Sequence, residues 1–488
     1  MSELDVAILG AGAAGMMAAV AAGEGSVDAG AGRSRLRIGV FEKNVRPGIK
    51  VLVCGGGRCN FTNAGSVEFL IEQFGRNGRF LTPALRHLDN EGLRAFFAER
   101  GVPSHEEHDG KIYPDSNQAK SVVDALVNGM RSLGVEIFTG QAGTVVSVER
   151  EELKTTEDTE STEGRRRDQV SVPSVSSGVP FRFSTADGLS HTAKIVLLAV
   201  GGMSYQRMGT TGDGYRFAEG LGHTVVTPRP AIVGLLAQEG WVKELQGLAV
   251  EEVEVRIAVS GALPKLATGK PTPSVNDMLF THFGLSGPAV LNVSEIVAEL
   301  LEKFEVVPVV VDFAHRKTHE ELHELFRSWQ QHQGKKLLRK ILCQHARDIE
   351  ITSTSPDQTG IGNAAGEHSA QFSLPTRLAE KFLELEGIPR EQVCATLSSG
   401  QMHRLVERIK NTRFAITGTR GFKEAMVTAG GVKLSEVDPR TMESKVCPNL
   451  FLTGEVLDLT GPSGGYNLQL AFSTGHLAGS VVARRFAD

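Results

Sequence analysis

The run DVAILG (5–10), continuing into Gly10-Ala-Gly12-Ala13-Ala14-Gly15, limits what this chain can fold into more than any other feature. A short apolar run of this kind suits a strand buried in a parallel sheet. The three glycines then fit G-x-G-x-x-G, the turn between a strand and a helix that binds a dinucleotide. Gly10 permits the tight turn, Gly12 lets the backbone approach a pyrophosphate, and Gly15 lets helix and strand pack closely. The alanine-rich stretch from Met16 to Ala22 reads as the helix, with its N-terminus facing the phosphates. LRIGVFEK (36–43) is the next strand, and Glu42 at its end is placed to bond ribose hydroxyls. The distance from Gly15 to Glu42 exceeds the usual ~20 residues. The glycine-rich GEGSVDAGAGRSR accounts for the excess and reads as an exposed, mobile insertion. An anionic Glu42 repels a 2′-phosphate, which leaves NAD or FAD.

The rest of the chain returns to this unit only at its far end. Residues 119–133 have the pattern of an amphipathic helix, and VEIFTG with GTVVSVER (135–150) alternates as two antiparallel strands. The polar stretch 151–178 reads as a disordered loop tip between two strands, and 352–369 is a second polar, low-complexity stretch. FRFSTA and KIVLLAVGG resume the sheet, placing Ala199, Val200, Gly201 and Gly202 just past a strand end. From about 206 to 393 the character changes: VEEVEVRIAVSG (250–261) alternates as an antiparallel strand, and 317–349 is helical in pattern. From about 394 strand and glycine sequence returns, with NLFLTG as a core strand and a helix after it. The expected organisation is therefore a discontinuous α/β nucleotide-binding domain, 1–205 and 394–488, interrupted by a domain over 206–393.

Composition narrows the function classes. A net charge of −5 argues against a uniformly basic surface that coats nucleic acid. Five cysteines at 54, 59, 343, 394 and 447 form no disulfide framework, which points to the cytoplasm. Without paired CxxC units no structural zinc site is expected. Acidic Glu3 and Asp5 precede the first apolar run where a signal peptide carries positive charge. No apolar run approaches the roughly 18 residues of a membrane span. The basic run KKLLRK (335–340) reads as a solvated helix face, with contact to RNA phosphates as the alternative.

Two further stretches carry chemistry. VCGGGRCNFTN (53–63) has cysteines in a C-x4-C spacing around Gly55, Gly56 and Gly57. Its two readings are a redox dithiol and a glycine loop lying against a cofactor. Three successive glycines disfavour a helix by about 1 kcal/mol each, and a bare backbone suits an anion or a flavin edge. Arg58 is suited to neutralising phosphate or a reduced flavin. Asn60, Thr62 and Asn63 brace the turn. Cys59 is either a buried, inert thiol or a proton donor beside the flavin. Near the C-terminus, Thr453-Gly454-Glu455 and GPSGGYNLQLA (461–471) have the form with which two-dinucleotide flavoproteins close over FAD. No second strand-GxGxxG-helix unit occurs, so a nicotinamide donor would bind transiently or in a non-Rossmann way.

The chain resembles the YhiN/BaiN-like FAD-dependent oxidoreductase family (aminoacetone oxidase-like FAD-binding flavoproteins). The resemblance is carried by GIKVLVCGGGRCNFTN (48–63), GGMSYQRMGTTGDGYRFAEGLGH (201–223), NDMLFTHFGLSGPAVLNVS (276–294), VTAGGVKLSEVDPRTMESK (427–445) and LTGEVLDLTGPSGGYNLQLAFSTGHLAG (452–479). It implies a Rossmann-like FAD domain interrupted by a β-barrel-like insert with a helical part at about 317–350. The family has serine where this chain has Cys54, so a dithiol is not what its pattern needs. It has threonine where this chain has Val200, which removes one hydroxyl near the expected FAD. Expected cofactor contacts are Gly10, Gly12, Ala13, Ala14, Gly15, Glu42, Lys43, Lys50, Gly55–Gly57, Arg58, Cys59, Asn60, Thr62, Asn63, Ala199–Gly202, Gly454, Glu455, Gly464, Gly465, Tyr466, Asn467 and Leu468. Expected catalytic residues are Cys59, His282 and Tyr466, the alternatives being a hydrogen-bonded structural histidine at His282 and a packing role for Tyr466.

The implied activity is NAD(P)H-driven reduction of an activated carbon–carbon double bond, in a uracil ring of ribosomal RNA or in a steroid enone. An amine oxidase-like flavoenzyme and a non-catalytic flavin-containing RNA- or ribosome-binding module are the alternatives.

Overall fold

A computed structural model describes residues 3–28, 35–107, 110–150, 180–258, 266, 272–343 and 372–487. The polar stretches 151–178 and 352–369 fall outside these residues. The chain divides into two compact units, Met1–Pro228 with Val427–Asp488, and Arg229–Met426.

The first unit is built on a seven-stranded sheet. Its order is Glu136–Thr139, Ile38–Glu42, Glu3–Leu9, Ser190–Leu198, Phe181–Thr185 and Val145–Arg150, with Leu450–Leu452 also on Ser190–Leu198. Glu3–Leu9 is parallel to both neighbours and carries no exposed residue beyond Glu3, as expected for a central strand. The strands at 135–150 do not pair with each other. Glu136–Thr139 joins the sheet edge parallel to Ile38–Glu42, while Val145–Arg150 pairs antiparallel with Phe181–Thr185. The helix Ala119–Ser132 explains the difference, because it returns the chain for a parallel crossover rather than a hairpin.

The first helix, Ala13–Asp28, runs through part of the stretch read as an insertion; residues 29–34 lie outside the described residues. Tertiary packing overrides glycine's poor helix propensity here. A Cβ on Gly25 would sit 2.6 Å from the Ala483 Cβ of the last helix, Tyr466–Ala487. The same two helices touch backbone to side elsewhere. A Cβ on Gly475 or Gly479 would lie 2.3 Å from the Ala14 or Ala18 carbonyl oxygen. The two ends of the sequence are thus packed against one another within one core.

The second unit is a closed six-stranded barrel in the order Leu235–Ala237, Gly284–Ser286, Ser274–Phe280, Ala249–Ile257, Val307–Asp312 and Thr412–Thr419. Val253, Val255, Met278, Phe280, Val309 and Phe414 fill it. Helices His319–His332, Leu338–Leu342, Thr376–Leu385 and Ser399–Lys410 form its helical part. This unit begins and ends later than 206–393. The strand Thr412–Thr419 closes the barrel by pairing with both Val307–Asp312 and Leu235–Ala237, so the barrel holds the chain to Met426. The helix Asp213–Gly220 stays with the first unit, where a Cβ on Gly214 would meet Val200 at 2.3 Å. In KKLLRK, Leu338 is buried and Arg339 reaches Glu380 and Glu391 at 3.7 and 3.8 Å.

Among the described residues, no helix is long and apolar enough to cross a membrane, and no group of three His, Cys, Asp or Glu residues could hold a metal ion.

Candidate cofactor site

The dinucleotide turn has the geometry its glycines require. Gly10 takes φ +98°, and a Cβ there would lie 2.5 Å from the Ala199 carbonyl oxygen. A Cβ on Gly15 would lie 1.9 Å from the Gly10 carbonyl oxygen, so only glycine fits. Gly12 is different: a Cβ there meets nothing within 4 Å. It faces open space at the N-terminus of the first helix, the place where amide groups and the helix dipole favour an anion.

Glu42 is buried beside this turn. Its carboxylate accepts the Ala11 amide N–H at 2.9 Å, the Asn44 amide N–H at 2.9 Å and the Asn44 side-chain N–H at 2.7 Å. A carboxylate has about four lone-pair positions, so this rigidly held group retains capacity for a ribose hydroxyl. Asn44, which positions it, was not among the expected residues; nothing in the linear spacing marks it.

The C-terminal acid is held as firmly. Glu455 accepts the Lys50 ammonium at 2.5 Å, the Ser204 hydroxyl at 2.6 Å and the Thr428 amide at 2.8 Å. Lys50 also donates to Ser204 at 2.6 Å. The Thr428 hydroxyl in turn accepts the Met203 and Ser204 amides. Gly454 before it takes φ +73°, and its amide donates to the Thr474 hydroxyl on the last helix. Gly201 is close: a Cβ there would lie 3.8 Å from Glu455 Oε2. Ser204 and Thr428 lie inside stretches that carry the family resemblance, yet only the fold shows their partnership with Glu455. Lys43 is committed elsewhere, to Thr211 at 2.5 Å and Asp213 at 2.7 Å. Gly202 packs on Thr428, where a Cβ would clash at 2.5 Å.

The triple-glycine stretch forms a left-handed turn, Gly55 φ +57°, Gly56 φ +67° and Gly57 φ +88°, and Cys59 follows at φ +65°. Gly56 faces open space. Arg58 is not a free cation. It pairs with Glu107 and Asn117 and lies over the Tyr113 ring at 4.1 Å. The expected role of Arg58 in neutralising a cofactor anion therefore meets a guanidinium whose charge is already balanced. Burial pushes the Cys54 thiol up to about 11, with Lys50 opposing and Glu455 assisting. Cys59 is raised well above its ordinary range by burial and by Cys54. Both are free thiols, and neither is a thiolate at neutral pH. Cys59 is 0% exposed, so no ligand surface reaches its sulfur. That opposes its expected roles as acid and cofactor contact and favours the inert thiol.

The turn leads to the last helix. A Cβ on Gly465, φ +94°, would sit 2.4 Å from the Thr62 carbonyl oxygen and 2.8 Å from Asn60 Oδ1. Asn60 Oδ1 and Thr62 Oγ1 are buried without a hydrogen-bond partner, while the Asn63 side chain donates to the Gly464 carbonyl at 3.4 Å. Asn467 braces the loop before the helix, accepting from the Gly461 amide and donating to the Gly461 and Pro462 carbonyls. Tyr466 and Leu468 occupy the first turn of the helix, with Tyr466 against Gly464 and Leu468 half-buried. His282 belongs to the barrel unit, exposed between two of its strands and edge-on to Phe283.

These residues fit FAD: bare backbone open at a helix N-terminus at Gly12, a buried carboxylate with acceptor capacity left at Glu42, and glycines at each helix start. The model of the HI0933-like protein Rossmann domain matches residues 4–481. The chain is 30% identical over 480 residues to the 3-dehydro-bile acid delta(4,6)-reductase of Clostridium scindens, covering 98% of this chain and 99% of that protein. It is 28% identical to the ribosomal RNA dihydrouridine synthase of Escherichia coli, over 97% of this chain and 96% of that one. The Haemophilus influenzae protein of the same name is 29% identical, over 98% of both. The chain belongs to the HI0933-like family and is an FAD-dependent oxidoreductase.

Proposed function

We propose that this protein reduces an activated carbon–carbon double bond, with NADH or NADPH as electron donor and a uracil ring of ribosomal RNA or a steroid-like enone as acceptor. The reading is carried by end-to-end similarity to three relatives whose names describe reduction of such bonds. Bound FAD would supply a two-electron carrier that takes hydride from the nicotinamide and returns it to the alkene carbon. The chain's own part is binding and placement. Gly10, Gly12 and Gly15 with the first helix hold the pyrophosphate, Glu42 the ribose, and the Lys50–Glu455 network fixes the strand end behind them. A donor without a second Rossmann unit must enter and leave between half-reactions. Proton delivery to the second carbon falls to Tyr466 or His282, since Cys59 is sealed in the core.

Anaerobic stopped-flow tests this directly. NADH or NADPH should bleach the flavin without added amine, and an enone steroid or uridine-containing rRNA fragment should restore its colour. In Tyr466→Phe or His282→Ala, one variant should bleach normally and recover slowly. Bleaching by a small amine and recovery by oxygen alone would establish the amine-oxidase reading instead. Loss of dihydrouridine from rRNA in a deletion strain, read by mass spectrometry, would select the RNA substrate.

A further inference from the structure

The glycine turn raises a mechanical question. Gly55, Gly56 and Gly57 all sit at positive φ, a region glycine enters freely but does not prefer over its mirror image. Such a run does not hold one shape by itself, because its backbone entropy opposes ordering. Its closing hydrogen bonds are the Arg58 amide to the Cys54 and Gly55 carbonyls, the latter at 3.3 Å, and the Cys59 amide to Cys54 at 3.0 Å. Yet Gly56 presents bare backbone to open space, next to the strand that meets the last helix.

What fixes the turn lies just after it. Arg58 Nε donates to Asn117 Oδ1 at 2.9 Å and Nη2 to the same oxygen at 2.6 Å. Nη1 donates to Glu107 Oε2 at 3.2 Å, and Nη2 to Glu107 Oε1. The guanidinium plane lies on the Tyr113 ring. Glu107 follows the strand Ser104–Glu106, and Tyr113 lies on its partner Lys111–Pro114. Asn117 is itself left-handed at φ +50°, a conformation its short polar side chain tolerates. His105 adds a contact to Glu107 at 3.5 Å and one to Asp115 at 3.0 Å. Cys59, the next residue, plugs the core.

We propose that Arg58 is a positioning residue and not an anion ligand: its paired hydrogen bonds to Glu107 and Asn117 latch the glycine turn onto this hairpin and so hold the turn's backbone in the shape that receives FAD. The inference rests on the reading of this site as the FAD site and is independent of which alkene is reduced.

A latch and a ligand make opposite predictions at Glu107. If Arg58 bound a cofactor anion, Glu107→Gln would free the guanidinium and tighten FAD, or leave it unchanged. If Arg58 is a latch, Glu107→Gln weakens FAD as Arg58→Ala does, each by about tenfold, the scale of one charge-assisted bond. The two changes together should then cost little more than either alone, because they remove one interaction. Arg58→Lys should not rescue, since lysine cannot present a planar fork. FAD release from the full-length holoenzyme, followed by recovery of flavin fluorescence, gives the affinities; thermal melting of the same variants checks the fold. Affinity lost together with coupling between the two positions supports the latch. Tighter or unchanged FAD in Glu107→Gln overturns it, as does unaltered affinity with only a lowered Tm. Wild-type protein that takes up no FAD would instead remove the site reading itself.

Discussion

The Glu455 carboxylate lies 2.5 Å from the Lys50 ammonium, joining positions 405 residues apart in the chain. Each side chain is 19% exposed, so the pair is partly desolvated and its loss is felt. It links the segment entering the glycine turn to the strand end that precedes the last helix. Removing Lys50 leaves Glu455 with only Ser204 and the Thr428 amide. Lys50→Met should destabilise the protein by about 2 kcal/mol, a fraction of the cost of orphaning a fully buried charge. The Lys50→Met/Glu455→Gln double variant should recover part of that loss. Urea unfolding of the three variants checks both statements.

Gly12 and Gly15 separate cofactor binding from folding. A methyl at Gly12 enters open space, whereas one at Gly15 meets the Gly10 carbonyl at 1.9 Å. Gly12→Ala should keep the wild-type Tm of the FAD-free protein and lose FAD affinity by tenfold or more, on the order of 1.4 kcal/mol per tenfold. Gly15→Ala should lower stability by about 3 kcal/mol through overpacking. Fluorescence titration with FAD and thermal melting of FAD-free protein distinguish the two.

Cys54 and Cys59 are protonated thiols with different surroundings. Cys54→Ser should leave the flavin spectrum and turnover unchanged, since its sulfhydryl only donates to the Lys50 carbonyl at 3.3 Å. Cys59→Ser buries a hydroxyl in an apolar core and should cost about 1–3 kcal/mol. A charge-transfer band on partial reduction that disappears in Cys54→Ser would show a working dithiol.

His476 on the last helix sits 3.0 Å from the His87 ring nitrogen. Burial, with His87 and Arg100 adding to it, lowers its pKa from 6.5 to about 4. The native protein therefore keeps this ring neutral where the unfolded chain binds a proton. Its contribution is complete above pH 6.5 and is lost as pH falls from 6.5 toward 4, a loss of about 3 kcal/mol. His476→Gln should flatten that part of the stability–pH profile, measured by urea midpoints across the window.

The amino-acid sequence makes the ends of this fold legible and its middle less so. Gly10, Gly15 and Glu42 are legible from local spacing, because the tight turn at Gly10 and Gly15 and the strand ending at Glu42 are local features. The unit boundaries at 205 and 394 differ from 228 and 427 because the strand Thr412–Thr419 is claimed by the barrel, a long-range pairing that alternation does not reveal. Gly23 and Gly25 look like loop residues but lie in a helix, since close packing on Leu133 and Ala483 requires small side chains there. Arg58 looks like a cofactor cation because its partner Glu107 is 49 residues away. Ser204 and Thr428 act through such distant partners, so residue type alone does not single them out, while Asn44 holds Glu42 only two residues away and carries no spacing signal of its own.

On the proposed reading, the glycine turn at Gly12 and the strand end at Glu455, brought into one unit from opposite ends of the chain, hold a single FAD. Release of the bound nucleotide from purified full-length protein, quantified by chromatography against protein concentration, tests it most directly. One FAD per chain is the expected result. A colourless protein that acquires no flavin after incubation with FAD would contradict it.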